Sequence, residues 1–147
     1  MSLNVWQGHG WLQPHKTSPQ EIAGLLAIVD RDLHDSEADA LSADWRLNIA
    51  YNAALQSAKA ALAASGYLPG KAGNAHYHTV QSLTLTIGLD AKTVARLDAF
   101  RKRRNSTEYD TAGITSDSEA DEMRELARGV SERVRAWLKE HHAQLMK

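Results

Sequence analysis

The sequence predicts a single all-α domain, an up-and-down bundle of about five helices with no sheet. Three observations predict it. The apolar fraction, 43% of 147 residues, is dominated by Ala and Leu, with Val and Ile sparse and a single Phe. Such straight-chain and Ala-rich content favours helix over strand. The three prolines, Pro14, Pro19 and Pro69, all lie outside periodic segments, so long helices can run unbroken. Finally, apolar residues recur at helical spacing behind recognisable capping signals. A chain of this length suffices for one domain with its own core.

Residues 1–17 show no period and read as an irregular N-terminal arm, whose Trp6 and Trp11 must pack on this subunit or on a partner. Residues 18–147 form the helical domain. Ser18-Pro19-Gln20-Glu21 is a capping box with Pro at the first helical position, and Ile22, Leu25, Leu26, Val29 and Leu33 make one stripe. A second helix starts near Ser42. Trp45, Ile49, Leu55 and Leu62 mark one side of it, and Tyr51, Ala54, Ala58 and Ala61 a second, smaller face. Gly66 stops it, and residues 67–73 form a loop rich in turn formers. The third helix covers 75–87 with Val80, Leu83 and Ile87 inward. Its threonines, Thr79, Thr84 and Thr86, make a strand the alternative. Asp90 caps the fourth helix, which carries Val94, Leu97 and Phe100 and continues to about Tyr109. After a loop at 110–117, Ser116-Asp117-Ser118-Glu119 opens a fifth helix. Its stripe runs from Met123 through Leu126, Val130, Val134, Trp137 and Leu138 to Leu145. Short connections between such helices imply antiparallel neighbours.

Charge and composition narrow the function. A formal net charge of -1 provides no global attraction to nucleic acid or membrane, so any such role needs a local patch. The absence of cysteine excludes disulfides and thiolate zinc sites, as expected of a cytoplasmic protein. No window approaches the roughly 18 apolar residues of a membrane span, and residues 1–10 lack the apolar core of a signal peptide. No phosphate-binding glycine loop or HExxH motif occurs.

One stretch concentrates chemistry. Arg101-Lys102-Arg103-Arg104 places four consecutive cations toward the end of a helix, followed by Asn105 and, further on, Tyr109 and Asp110. Cations there offset the helix dipole by about 0.3–1 kcal/mol each. Arg104 lies three residues beyond Arg101, four beyond Phe100 and seven beyond Leu97. It therefore projects from the apolar stripe, where a cation must be paired or face a groove. A guanidinium fork suits phosphate, and Asn105 and Tyr109 supply further hydrogen bonds. The alternative is a salt-bridged helix end, with Glu108 and Asp110 answering the arginines.

This stretch resembles the signature of HEPN domains (higher eukaryotes and prokaryotes nucleotide-binding), with the SAV_6107-like branch the nearest in pattern. Ala50-Tyr51-Asn52-Ala53-Ala54-Leu55, Ala60-Ala61-Leu62 with Gly66-Tyr67, and His76-Tyr77-His78-Thr79 through Leu85 are similar to the family's helices. The resemblance spans about residues 42–140. It implies a dimerising helical bundle that binds or cleaves RNA or nucleotides without metal or other cofactor, as the toxin-like member of a toxin–antitoxin or defence module. An antitoxin or a nucleotidyltransferase would be its partner. Carried over, Arg104 matches the family's phosphate-steadying arginine and Asn105 the polar residue after it, with Arg101, Lys102 and Arg103 as supporting nucleic-acid contacts. The family's motif His has no counterpart: Tyr109 stands in its place, and no His follows Arg104 until His141. A free tyrosine, with a pKa near 10, is a poor base at neutral pH, so the implied endoribonuclease would have an atypical motif. The alternative is a non-catalytic dimeric interaction module.

Other residues carry weaker signals. His76 and His78, two apart, diverge on a helix and share a face only in an extended segment. Asp35, Glu37 and Asp39 read as a solvated turn rather than a magnesium site. His141 and His142 complement a helix dipole.

Overall fold

The structure is a computed structural model; its described residues are 2–109 and 115–147, with the side chains of 105–109 outside the description. It is mostly helical. Four long helices dominate: α2 (Pro19–Asp35), α3 (Ala43–Ala64), α6 (Ala91–Tyr109) and α7 (Asp117–His141). Shorter pieces are α1 (Leu3–Gly8), α4 (Ala75–Gln81), α5 (Leu83–Thr86) and a terminal 3-10 turn, Ala143–Met146.

Long-range ion pairs and hydrogen bonds establish the directions. Arg135 of α7 reaches Asp30 of α2 while Arg128 reaches Glu37, so α7 runs against α2. Asn52 donates to Asp32, and α3 starts close to where α2 ends, so these two are also antiparallel. Arg96 pairs with Glu122 and Arg103 with Glu119, so α6 opposes α7. Helices α3 and α7 therefore run parallel.

Helix α3 is the central helix. Ala50, Ala53, Ala54, Ala58, Ala60, Ala61 and Ala63 are all buried, along with Leu47, Tyr51, Leu55, Ser57 and Leu62. A helix buried on nearly every side has little amphipathic contrast, and alanine lets neighbours approach closely. Ser57 Oγ satisfies itself by donating to the Ala53 carbonyl at 2.9 Å. Trp45, placed on one side of this helix with Ile49, Leu55 and Leu62, is 62% exposed, whereas Leu47, two residues on, is fully buried.

Caps set the helix starts. The Ser18 hydroxyl accepts from Glu21 N, the Ser42 hydroxyl from Trp45 N, and Asp90 from Thr93 N. Ser116 and Glu119 form a full reciprocal capping box. At Ser18 the box is only half made, because the Glu21 carboxylate instead accepts from Thr17 and pairs with His15.

The expectation of no sheet is corrected. Strand β1 (Leu12–Pro14) pairs antiparallel with β2 (Tyr67–Pro69), in the register Gln13↔Leu68. Strands of three residues carry no alternation to read. The arm at residues 1–17 is likewise not irregular, since it contains α1, capped by Ser2, and β1. Trp6 and Leu12 pack with Leu62 of α3 in a satellite cluster, so the arm covers this subunit's own bundle. The single third helix is corrected to two, α4 and α5, broken at Ser82. There the Ser82 hydroxyl donates to the Thr79 carbonyl and the Thr84 hydroxyl to the Gln81 carbonyl. Such back-bonding competes with regular helix geometry. Leu145 lies beyond α7, in the 3-10 turn, yet still packs on the core. Among the described residues, no helix is long and apolar enough to cross a membrane.

Candidate functional site: the basic end of α6

Buried Val94, Leu97 and Phe100 seat α6 against the core. Helical spacing then divides the four cations that follow among three directions. Lys102 points to solvent, 71% exposed, with its ammonium 3.7 Å from Asp98. Arg103 turns toward α7 and meets Glu119 at 2.9 Å. It borders a cavity of about 270 Å³ shared with Arg96, Phe100 and Lys102. Arg96 closes that side, its guanidinium 4.5 Å from the Phe100 ring centre and 2.6 Å from a Glu122 oxygen.

Arg101 and Arg104, one turn apart, take the inner face. Arg101 donates to Asp98 at 2.7 Å, and its guanidinium carbon lies 5.4 Å from the centre of the Tyr77 ring. Arg104 stands at the same distance, 5.4 Å, from the Tyr51 ring. The cation expected on the apolar stripe is thus half-buried on an aromatic face. Such contacts contribute about 0.5–2 kcal/mol.

Tyr51 is the residue that sequence reasoning missed. In the sequence it stood on the small face of α3 and in a segment of the family resemblance, with no role assigned, and its neighbour Arg104 is 53 positions away. Its side chain is fully buried, and its hydroxyl has no hydrogen-bond partner among the described residues. Burial pushes the phenol up to about 12, against the opposing pull of Arg101 and Arg104. A phenol with that pKa stays protonated at neutral pH, so Tyr51 is no general base. The side chains of Asn105 and Tyr109 lie outside the described residues.

Two further clusters stand apart from α6. Where the α2–α3 connection meets the start of α7, a groove of about 630 Å³ is lined by both signs of charge. Within it Arg46 pairs with Asp117 and Asp121, Arg124 with Asp121, and Arg128 with Glu37. The arginines are already answered, so the groove reads as a mutual clasp of helix ends. At the opposite end of α3, Trp11 stacks on His78 at 4.8 Å and meets Trp6 edge-on at 5.6 Å. His78 is therefore buried in the arm's aromatic cluster, while His76 lines a separate cavity beside β2.

Comparison with known proteins yields nothing: no family model, curated protein or solved structure matches this chain.

Proposed function

We propose that the chain is a HEPN-type helical domain whose α6 end binds the phosphates of RNA or a nucleotide, through Arg101 and Arg104. The supporting observation is the pair of guanidiniums, one helical turn apart, each laid over a tyrosine ring. A ring face orients a guanidinium, whose in-plane N–H groups are the ones that grip phosphate in a bidentate fork. Arg101 already gives its Nε–H to Asp98. Lys102 adds exposed positive charge alongside. Asn105 and Tyr109 complete the motif on this reading, as orienting and hydrogen-bonding groups. The setting is then a toxin–antitoxin or defence module in which the domain acts as a dimer.

Binding is measured by fluorescence anisotropy on labelled single-stranded RNA in EDTA. Wild type is expected to bind with salt-dependent affinity. Arg104→Ala is expected to weaken binding about tenfold and to reduce the salt slope by about one. Tyr51→Phe keeps the ring and is expected to bind like wild type. Unchanged affinity in Arg104→Ala sinks the proposal. Incubation with total RNA in EDTA decides whether cleavage accompanies binding.

The Arg101–Asp98 and Arg103–Glu119 pairs favour a second reading, a non-catalytic interaction module. In that case Arg104→Ala lowers thermal stability while RNA binding is absent in wild type and variant alike.

A further inference from the structure

Helices α3 and α4 and strand β2 border an open cavity of about 330 Å³, well separated in sequence from the α6 motif. Its walls are matched triplets. Leu55, Gln56 and Lys59 face it from α3, and Ala75, His76 and Thr79 from α4. Both sets follow the i, i+1, i+4 spacing of one helix face. Leu68 and Pro69 of β2 supply an apolar floor. The arm pairs with β2 behind that floor, and Gln13 of β1 ties the two by donating to the Pro69 carbonyl at 3.0 Å.

Lys59 is the unexplained group. It is half-buried on the central helix, yet its ammonium makes no hydrogen bond or ion pair among the described residues. The Glu21 carboxyl is held low chiefly by the Thr17 hydroxyl and then by His15, with the charge of Lys59 the smallest contribution. Lysines at such positions normally extend their stems over apolar surface to reach water. Here Lys59 lines a partly apolar hollow. The hollow's volume matches the lower end of small-molecule sites, roughly 300–1,000 Å³.

We infer that this cavity binds a small organic anion, a carboxylate or phosphate monoester, with its charged head on Lys59 and its apolar body against Leu55, Leu68 and Pro69. An anionic head replaces the water around the ammonium with a charge-assisted hydrogen bond. His76 and Gln56 line the same cavity, Gln56 with its amide N–H on Asn52 Oδ1 at 3.2 Å. The apolar floor distinguishes the site from a simple inorganic ion site, and the cavity admits about one ring or a short chain.

The test is a titration of isotope-labelled full-length protein, followed by amide shifts, with benzoate, phenyl phosphate and inorganic phosphate as separate probes. Saturable shifts confined to residues around Lys59, Leu68 and His76 are expected for at least one organic probe. They should weaken about tenfold in Lys59→Met and survive in Lys59→Arg. Response to benzoate alone assigns a carboxylate, and to phenyl phosphate alone a phosphate ester. Non-saturating shifts up to roughly 20 mM, the range of a very weak contact, overturn the inference. So does equal affinity in Lys59→Met, or inorganic phosphate binding as tightly as the organic probes.

Discussion

A Cβ added at Gly70 would stand 2.2 Å from the Gly10 carbonyl oxygen and 3.0 Å from the Trp11 carbonyl carbon. Both obstacles are backbone, so neither can turn aside, and the close approach is sealed by Gly70 N donating to Trp11 O at 2.7 Å. Gly70→Ala is expected to cost about 1–3 kcal/mol through forced backbone movement, read as a lower urea midpoint. His78 makes a second prediction at this scale. Burial holds its imidazole below the ordinary 6.5, so the fold prefers the neutral ring. The stabilisation is complete above the unfolded pKa and is lost as pH falls from about 6.5 through the lower folded value. His142 is also held low by burial, so the difference between wild type and His78→Gln isolates the His78 share. That difference should shrink between about pH 7.5 and 5.5. At this scale the sequence was legible for residue type and not for surroundings. Arg104 announced itself by its place on the α6 stripe, but the ring beneath it comes from another helix.

Among the elements, α7 shows how a local signal acquires a distant task. Ser116 and Glu119 cap its start, and the same Glu119 carboxylate receives Arg103 of α6 at 2.9 Å. The Ser116 backbone lowers the Glu119 pKa most strongly, with Arg103 adding to it. Ser116→Ala is expected to cost roughly 0.5–2 kcal/mol, as for other lost N-caps. Glu119→Ala leaves the Ser116 hydroxyl on the N–H of residue 119, but removes the reciprocal half of the box and the tie to α6 together. A double-mutant cycle with Arg103→Ala in chemical denaturation separates the two contributions. The capping box was readable because its partners are three residues apart. The α4–α5 break was not, because the threonines that signalled irregularity are equally compatible with strand.

For the molecule as a whole, the N-terminal segment is a working part of the fold. Trp6 and Leu12 are buried against Leu62, and β1 holds β2 in place beside α3. Burying one such side chain contributes about 1.5–3 kcal/mol, reduced on a net basis by the entropy of ordering the segment. Deleting residues 1–17 is therefore expected to lower the melting temperature. It should also abolish probe shifts at the Lys59 cavity, whose floor it supports.

Helix positions, caps and the apolar stripes of α2, α6 and α7 followed from the sequence alone, because each depends on residues within a few turns of one another. The same locality made the basic run of α6 stand out. Tertiary structure decided what lies between distant segments: the β1–β2 pairing, the central burial of α3, the tyrosine rings under Arg101 and Arg104, and the cavity at Lys59. Each joins positions dozens of residues apart, and their closeness arises from the packing of whole helices, which no short window of sequence encodes.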